Sequence, residues 1–284
     1  RGLGDVYKRQ EYITKALSFN KNSYFYENLA RVYIQEKSFD KACNILEEAV
    51  NTCNCGFEIY FLLGLSYKNN IQYEEAENAY LKALEINPKS EKACFNLASL
   101  YLFLNKPEKA IEYFKKCLEI NPNDKEVLYF LSLGYFRIKD YETGTKYFEN
   151  RLCRGTAITS QEVTYPNLIK KAHLWQGEDI SDKTLYTYYE AGFGDMIMFA
   201  RYIPELQKRC KKLLIKPQKE LSQFFRDNFS DVEVMDLFND EANTDFDVHI
   251  PFLSVPYVLG LNNEEIFMHH DRYLKATPDK IKYY

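Results

Sequence analysis

The chain has 284 residues, 46% of them hydrophobic, and a net charge of −4. With 41 acidic residues against 37 basic ones, it lacks the excess of cations that a dedicated nucleic-acid binder needs along a phosphate backbone. The apolar fraction argues against wholesale disorder, and no run approaches the roughly 18 apolar residues of a membrane span.

The opening run RGLGDVYKRQ, residues 1–10, reads as a non-native leader of adapter type and is set aside, and the abrupt close at Tyr283-Tyr284 reads as the end of a fragment. Residues 11–22, with Tyr12 and Ala16, have a helical pattern and read as the tail of an earlier repeat. From Ser23 the sequence keeps a register of 34 residues. One column holds Tyr26, Tyr60, Cys94 and Leu128, the next Leu29, Leu63, Leu97 and Leu131, and a small-residue column Ala30, Gly64, Ala98 and Ser132. Tyr33, Tyr67, Tyr101 and Tyr135 follow. In the second half of each block stand Ala42, Ala76, Ala110 and Gly144, then Leu46, Tyr80, Phe114 and Phe148. Two antiparallel helices approach closely only where Gly or Ala faces a bulky side chain, which explains why small and large columns alternate. The pattern resembles the tetratricopeptide repeat, with blocks at 23–56, 57–90, 91–124 and 125–155 forming an array over 11–155.

Stacked repeats bury a continuous core and present the first helix of each block on an inner surface. Phe61, Phe95 and Tyr129 recur at one offset of that helix, joined by Leu65, Phe103, Leu133 and Arg137. They are candidates to line a groove for a protein or peptide in extended form, and equally candidates for packing between repeats.

After Arg154 the register stops. Residues 156–180 read as a capping helix and linker in which Trp175, the one tryptophan, covers the last apolar face of the array. From 181 to 284 short β-rich runs alternate with helical ones: strands at 184–189, 213–216, 232–236 and 246–251, helices at 196–209, 219–229 and 254–261. That alternation predicts parallel βαβ units and a Rossmann-like half domain. Its first strand ends in Glu190-Ala191-Gly192-Phe193-Gly194-Asp195 and passes into a helix, so Gly192 and Gly194 offer open backbone at the strand's carboxyl end. Ile197 stands where a dinucleotide fingerprint has its third glycine, and no P-loop lysine follows. Asp195 fits a helix cap as well as a base that takes a proton from a hydroxyl.

Trp175-Gln176-Gly177, Glu190 to Asp195, Phe199-Ala200-Arg201-Tyr202-Ile203-Pro204, Phe246 to Pro251, Leu253-Ser254-Val255-Pro256 and Tyr273-Leu274 together resemble the start of a bacterial heptosyltransferase-like domain of glycosyltransferase family 9. The resemblance implies an α-solenoid of tetratricopeptide repeats followed by an α/β Rossmann-like half domain of GT-B type. It implies Asp195 as general base, an acceptor-binding half, and a nucleotide-sugar donor held by a second half absent after Tyr284, with no tightly bound cofactor. The partners implied are a glycan or protein acceptor. Ala191 and Met198 depart from the family's usual residues. A second likeness, to O-linked N-acetylglucosamine transferases, stops at architecture, because the Asn column of their repeats survives only at Asn28 and Asn96.

Glu190, His249 and Ser254 complete the acceptor-site candidates, and Arg201 is a candidate to pair with Glu190 or with an acidic acceptor, the salt bridge being preferred. His269-His270-Asp271 has ligand residue types but reads as solvated loop, and Cys53-Asn54-Cys55 lacks a second pair at zinc spacing, so no metal is expected. Four of the seven cysteines (Cys43, Cys94, Cys117, Cys153) fall in helical segments as small hydrophobes, which reads as a reducing, cytoplasmic chain.

Overall fold

The structure is a computed structural model that describes residues 12–15, 17–19, 21–153, 172–235, 245–261 and 274. The chain divides into two compact units, residues 1–134 and 135–284.

In the first unit residues 12–15 and 17–19 are helical. Antiparallel pairs follow: α1 (Ser23–Gln35) with α2 (Phe39–Thr52), α3 (Phe57–Asn69) with α4 (Tyr73–Ile86), and α5 (Glu91–Phe103) with α6 (Pro107–Ile120). The next helix, α7 (Lys125–Arg137), runs across the unit boundary. Side chains set the starts. Asn22 accepts from the Tyr24 amide, Ser90 from Ala93, and Asp124 from Glu126 and Val127, satisfying amides that have no partner within the helix.

The turn inside each block is the same device four times. Lys37, Ile71, Asn105 and Lys139, spaced by 34, all have φ between 55° and 64°. The amide after each returns to the column tyrosine's carbonyl, Ser38 to Tyr33, Gln72 to Tyr67, Lys106 to Tyr101 and Asp140 to Tyr135. These are left-handed helix ends that no glycine marks in the sequence. Ile71, β-branched and exposed, bears the largest steric cost of the four, of order 1–2 kcal/mol, whereas Asn105 tolerates the conformation.

Packing bears out the alternation of small and large columns. A Cβ on Gly64 would stand 2.6 Å from the Tyr80 ring, which is fully buried against it. The tyrosine column also ties neighbouring helices by charge-assisted hydrogen bonds: Tyr67 donates to Glu47 at 2.7 Å and Tyr101 to Glu77 at 2.8 Å.

The second unit begins within the fourth expected block, so residues 135–153 group with the sheet rather than with the array. Helix α8 (Tyr141–Phe148) is capped by Asp140 and runs into a 3-10 turn, Glu149–Cys153. Among the described residues the sheet has five parallel strands: β1 (His173–Leu174), β2 (Ile180–Tyr188), β3 (Cys210–Lys216), β4 (Glu233–Val234) and β5 (Val248–Pro251), in the order β1-β5-β2-β3-β4. Between β2 and β3 lie α9 (Phe193–Phe199) and α10 (Ile203–Arg209), between β3 and β4 lies α11 (Ser222–Asn228), and α12 (Val255–Val258) follows β5. The single helix expected over 196–209 is broken by a 3-10 turn at Ala200–Tyr202, where Pro204 cannot donate to the preceding turn.

Alternation along the strands gives two buried faces. Leu185, Leu213, Ile215, Val248 and Ile250 pack with Met196, Phe199, Leu206 and Phe225 in the main core, and Tyr186, Tyr188 and Leu214 cluster with Met235 in the other. Residues 156–171 of the expected capping helix and linker lie outside the described residues, and the remainder corrects that reading. His173–Leu174 is a strand paired with Val248 and His249. Trp175 belongs to the sheet core, 1% exposed, its indole N–H donating to the Glu178 carbonyl at 2.9 Å. A buried indole needs an acceptor, and the chain turn at 175–178 supplies one.

Candidate functional site

Strands β3 and β4 lie on one side of β2, and β5 with β1 on the other. The carboxyl ends of β2 and β5 therefore sit side by side where the connections diverge, the position at which open parallel sheets hold ligands. Glu190 leaves β2 there, and Leu253 and Ser254 leave β5.

The residue that meets them is Arg151, from the 3-10 turn after α8. Its Nη2 lies 2.6 Å from Glu190 Oε1 and 2.8 Å from Ser254 Oγ, and its Nη1 lies 2.7 Å from Glu149 Oε1. Ser254 donates onward to Glu149 Oε2 at 2.7 Å, and the Leu253 amide donates to Glu190 Oε1 at 3.1 Å. The guanidinium rests over the Phe148 ring at 4.5 Å. The Arg151 side chain is 7% exposed and that of Glu190 2%. One cation thus serves two carboxylates away from water. Burial pushes the Glu190 carboxyl above the ordinary carboxylate range, against the pull of Arg151 and the Leu253 amide. Glu190 Oε2 and Arg151 Nε have no hydrogen-bond partner among the described residues.

Glu190 and Ser254 are therefore joined to each other through Arg151. Arg201 is not the partner of Glu190: its Nε donates to the Met198 carbonyl within its own turn. Sequence reasoning missed Arg151, although the repeat register carried a signal. Residues 49, 83, 117 and 151 share a column that reads Ala, Ala, Cys, Arg. The first three are fully buried in close helix contacts, where a guanidinium does not fit. An arginine there marks a block that closes on something other than another repeat.

Asp195 stands in the first turn of α9, half-buried, and its Oδ2 accepts from the Gly192 amide at 3.1 Å. The cap is present and leaves the other carboxylate oxygen for further contacts. Gly192 and Gly194 are exposed with no left-handed φ, and a Cβ on Gly194 would meet nothing within 4 Å. His249 lies inside β5, paired with Tyr186 and Leu174 and 5% exposed. Its Nδ1 is 3.2 Å from the Tyr188 hydroxyl, and burial holds the ring down to about 4. It faces the tyrosine cluster of the sheet. His269-His270-Asp271 falls outside the described residues, and no group of three metal-ligating side chains occurs among those described.

On the repeats, Phe61 stacks on Phe57 and tilts against Tyr80, Phe95 meets Phe114 and Phe130 edge-on at 5.8 and 5.2 Å, and Tyr129 meets Phe130 at 5.5 Å. All three rings are half-buried, so each packs on its own neighbourhood while showing an edge to solvent. Phe103 is 63% exposed and lies against Tyr73. Arg137 is exposed at the last position of α7. Lys68 follows Leu65 by one turn of α3. Burial alone holds its ammonium below the usual lysine range.

No helix among the described residues is long and apolar enough to cross a membrane. Residues 91–124 match one tetratricopeptide repeat family model, and 23–53 and 57–90 match another. No curated protein matches the chain. Among solved structures, a crystal structure of MamA protein is similar at 21% identity with a TM-score of 0.50, covering 57% of this chain and 87% of that one. A tetratricopeptide repeat protein from Parabacteroides merdae is similar at 18% identity and TM-score 0.50, covering 57% of this chain and 64% of that one. At these identities the likeness shows the fold alone, and with the family matches it identifies residues 23–124 as consecutive tetratricopeptide repeats.

Proposed function

We propose that the protein is an interaction scaffold whose repeats hold an extended peptide. The observation that carries this reading is the stripe of half-buried rings Phe61, Phe95 and Tyr129, repeated every 34 residues on the first helix of successive repeats. Extended chains suit such a surface because successive side chains can dock on successive rings. Lys68, a half-buried ammonium on the same stripe, favours a peptide with apolar side chains and a carboxylate. Peptides selected from a randomised display library against the full chain, and measured by fluorescence anisotropy, should lose about tenfold or more in affinity with Phe95→Ala or Tyr129→Ala and several-fold with Lys68→Ala. Ellipticity at 222 nm should stay at the parent value. If the ring variants lose helicity, those rings are core and the groove reading fails.

A second reading rests on the sequence resemblance to glycosyltransferase family 9, with which the parallel sheet of the second unit is compatible: this unit is the acceptor half of a sugar-transfer enzyme. There Asp195 takes the proton of an acceptor hydroxyl as that oxygen attacks the anomeric carbon of a nucleotide-sugar donor, the donor resting on a second half. With a longer chain that carries such a half, Asp195→Ala should reduce donor turnover at least a hundredfold. Unchanged turnover removes Asp195 from the chemistry.

A further inference from the structure

The third repeat replaces a bulky-against-small pair with two thiols. In the first repeat the corresponding positions are Tyr26 and Ala49, which share one buried cluster. In the third they are Cys94 on α5 and Cys117 on α6, both buried and both free. The two side chains face each other across the helix pair closely enough that each shifts the other's ionisation, and Cys117 also lies 3.9 Å from the Glu91 carbonyl.

Cys94 is buried, 1% exposed, but at the wall of a cavity. It lines a cavity of about 400 Å³ whose walls are Leu81, Leu84, Pro88 and Tyr113, with Lys116 and Glu85 beside them. The Lys116 ammonium sits over the Tyr113 ring at 4.1 Å and pairs with Glu112 at 2.7 Å. The cavity is large enough to hold a small neutral oxidant beside Cys94, and the lysine supplies positive charge where a thiolate would form.

We propose that Cys94 and Cys117 form a peroxide-responsive dithiol, in which Cys94 reacts first and Cys117 resolves it to a disulfide across the third repeat. The Cys94 thiolate attacks one oxygen of hydrogen peroxide and breaks the O–O bond, giving a sulfenic acid and a hydroxide that takes up the thiol's proton and leaves as water. The Cys117 sulfur then attacks the Cys94 sulfur and expels hydroxide, which carries away the second thiol proton as water. Two thiols and one peroxide give one disulfide and two waters. Electrostatics agree with this order. The neighbouring Cys117 thiol and the charge of Lys116 hold the Cys94 thiol below the usual range despite burial and Glu119. Burial instead pushes Cys43 up to about 12 and Cys210 up to about 11.

The full chain should be titrated with hydrogen peroxide and its peptides mapped by mass spectrometry. The Cys94–Cys117 cross-linked peptide should be the first product, with the loss of two hydrogen atoms, and dithiothreitol should reverse it. In Cys117→Ser, Cys94 should stop as a sulfenic acid trapped by dimedone, and in Cys94→Ser, Cys117 should stay reduced. The map of the parent chain decides the question even if a serine variant fails to fold. Recovery of Cys94 and Cys117 as free thiols after Cys53 and Cys55 have been oxidised overturns the proposal, as does sulfinic acid at Cys94 without the cross-link.

Discussion

Arg151→Met should lower the stability of the second unit by about 3–5 kcal/mol, the usual cost of removing one partner from a buried ionic cluster. The reason is the imbalance at this site. Arg151 lies between Glu149 and Glu190, and without it Glu190, with a side chain 2% exposed, keeps among the described residues only the Leu253 amide as a donor. The lost packing of the guanidinium on Phe148 is largely restored by the methionine, so the effect isolates the charge. Trp175 makes the measurement local, since the one tryptophan of the chain lies in the sheet core. Its fluorescence in a urea titration should show a lower midpoint in the variant, while the 222 nm signal of the repeats keeps its own transition. Adding Glu149→Gln and Glu190→Gln to Arg151→Met should recover most of the loss, because the uncompensated charges leave together. A Trp175 midpoint equal to that of the parent would show that the cluster is not holding the unit together.

The same residue marks the limit of what the sequence discloses. The repeats were legible because each positional demand recurs: small residues at 30, 64, 98 and 132 face large ones, and three blocks repeat the test. Strands β2, β3, β4 and β5 were legible from the β-rich runs at 184–189, 213–216, 232–236 and 246–251, while β1, two residues long inside the expected capping segment, is too short to show a period. The left-handed turns at 37, 71, 105 and 139 escaped notice because Lys, Ile and Asn stand where glycine is the usual signal. At the sheet's carboxyl edge the sequence named Glu190 and Ser254 but not what they touch. Arg151 lies 39 residues before the one and 103 before the other, and ion pairs across such separations leave no local pattern. Asp195 was legible for the opposite reason, since a capping carboxylate and its amide are three residues apart.

His249 gives the second unit a stability that falls as the medium turns mildly acidic. In the fold burial holds the imidazole down to about 4, the nearby His173 adds to the shift, and the Ala172 backbone opposes it. The unfolded ring titrates near 6.5. Its folded value is the lower one, so the unfolded chain binds the extra proton: the contribution is whole above about 6.5 and drains as pH falls toward 4. By linkage, the loss is about 2 kcal/mol between pH 7 and pH 5 and about 3 kcal/mol by pH 4. Urea midpoints followed by Trp175 fluorescence over pH 7 to 5, where most carboxylates stay ionised, should fall for the parent and fall much less for His249→Gln. Glutamine retains a polar partner for the Tyr188 hydroxyl, 3.2 Å from Nδ1 in the parent, but takes up no proton in this range. Equal pH slopes in the two proteins would mean that the strand opens enough to hydrate the charged ring, and the buried tyrosine face of the sheet would then not be a closed core.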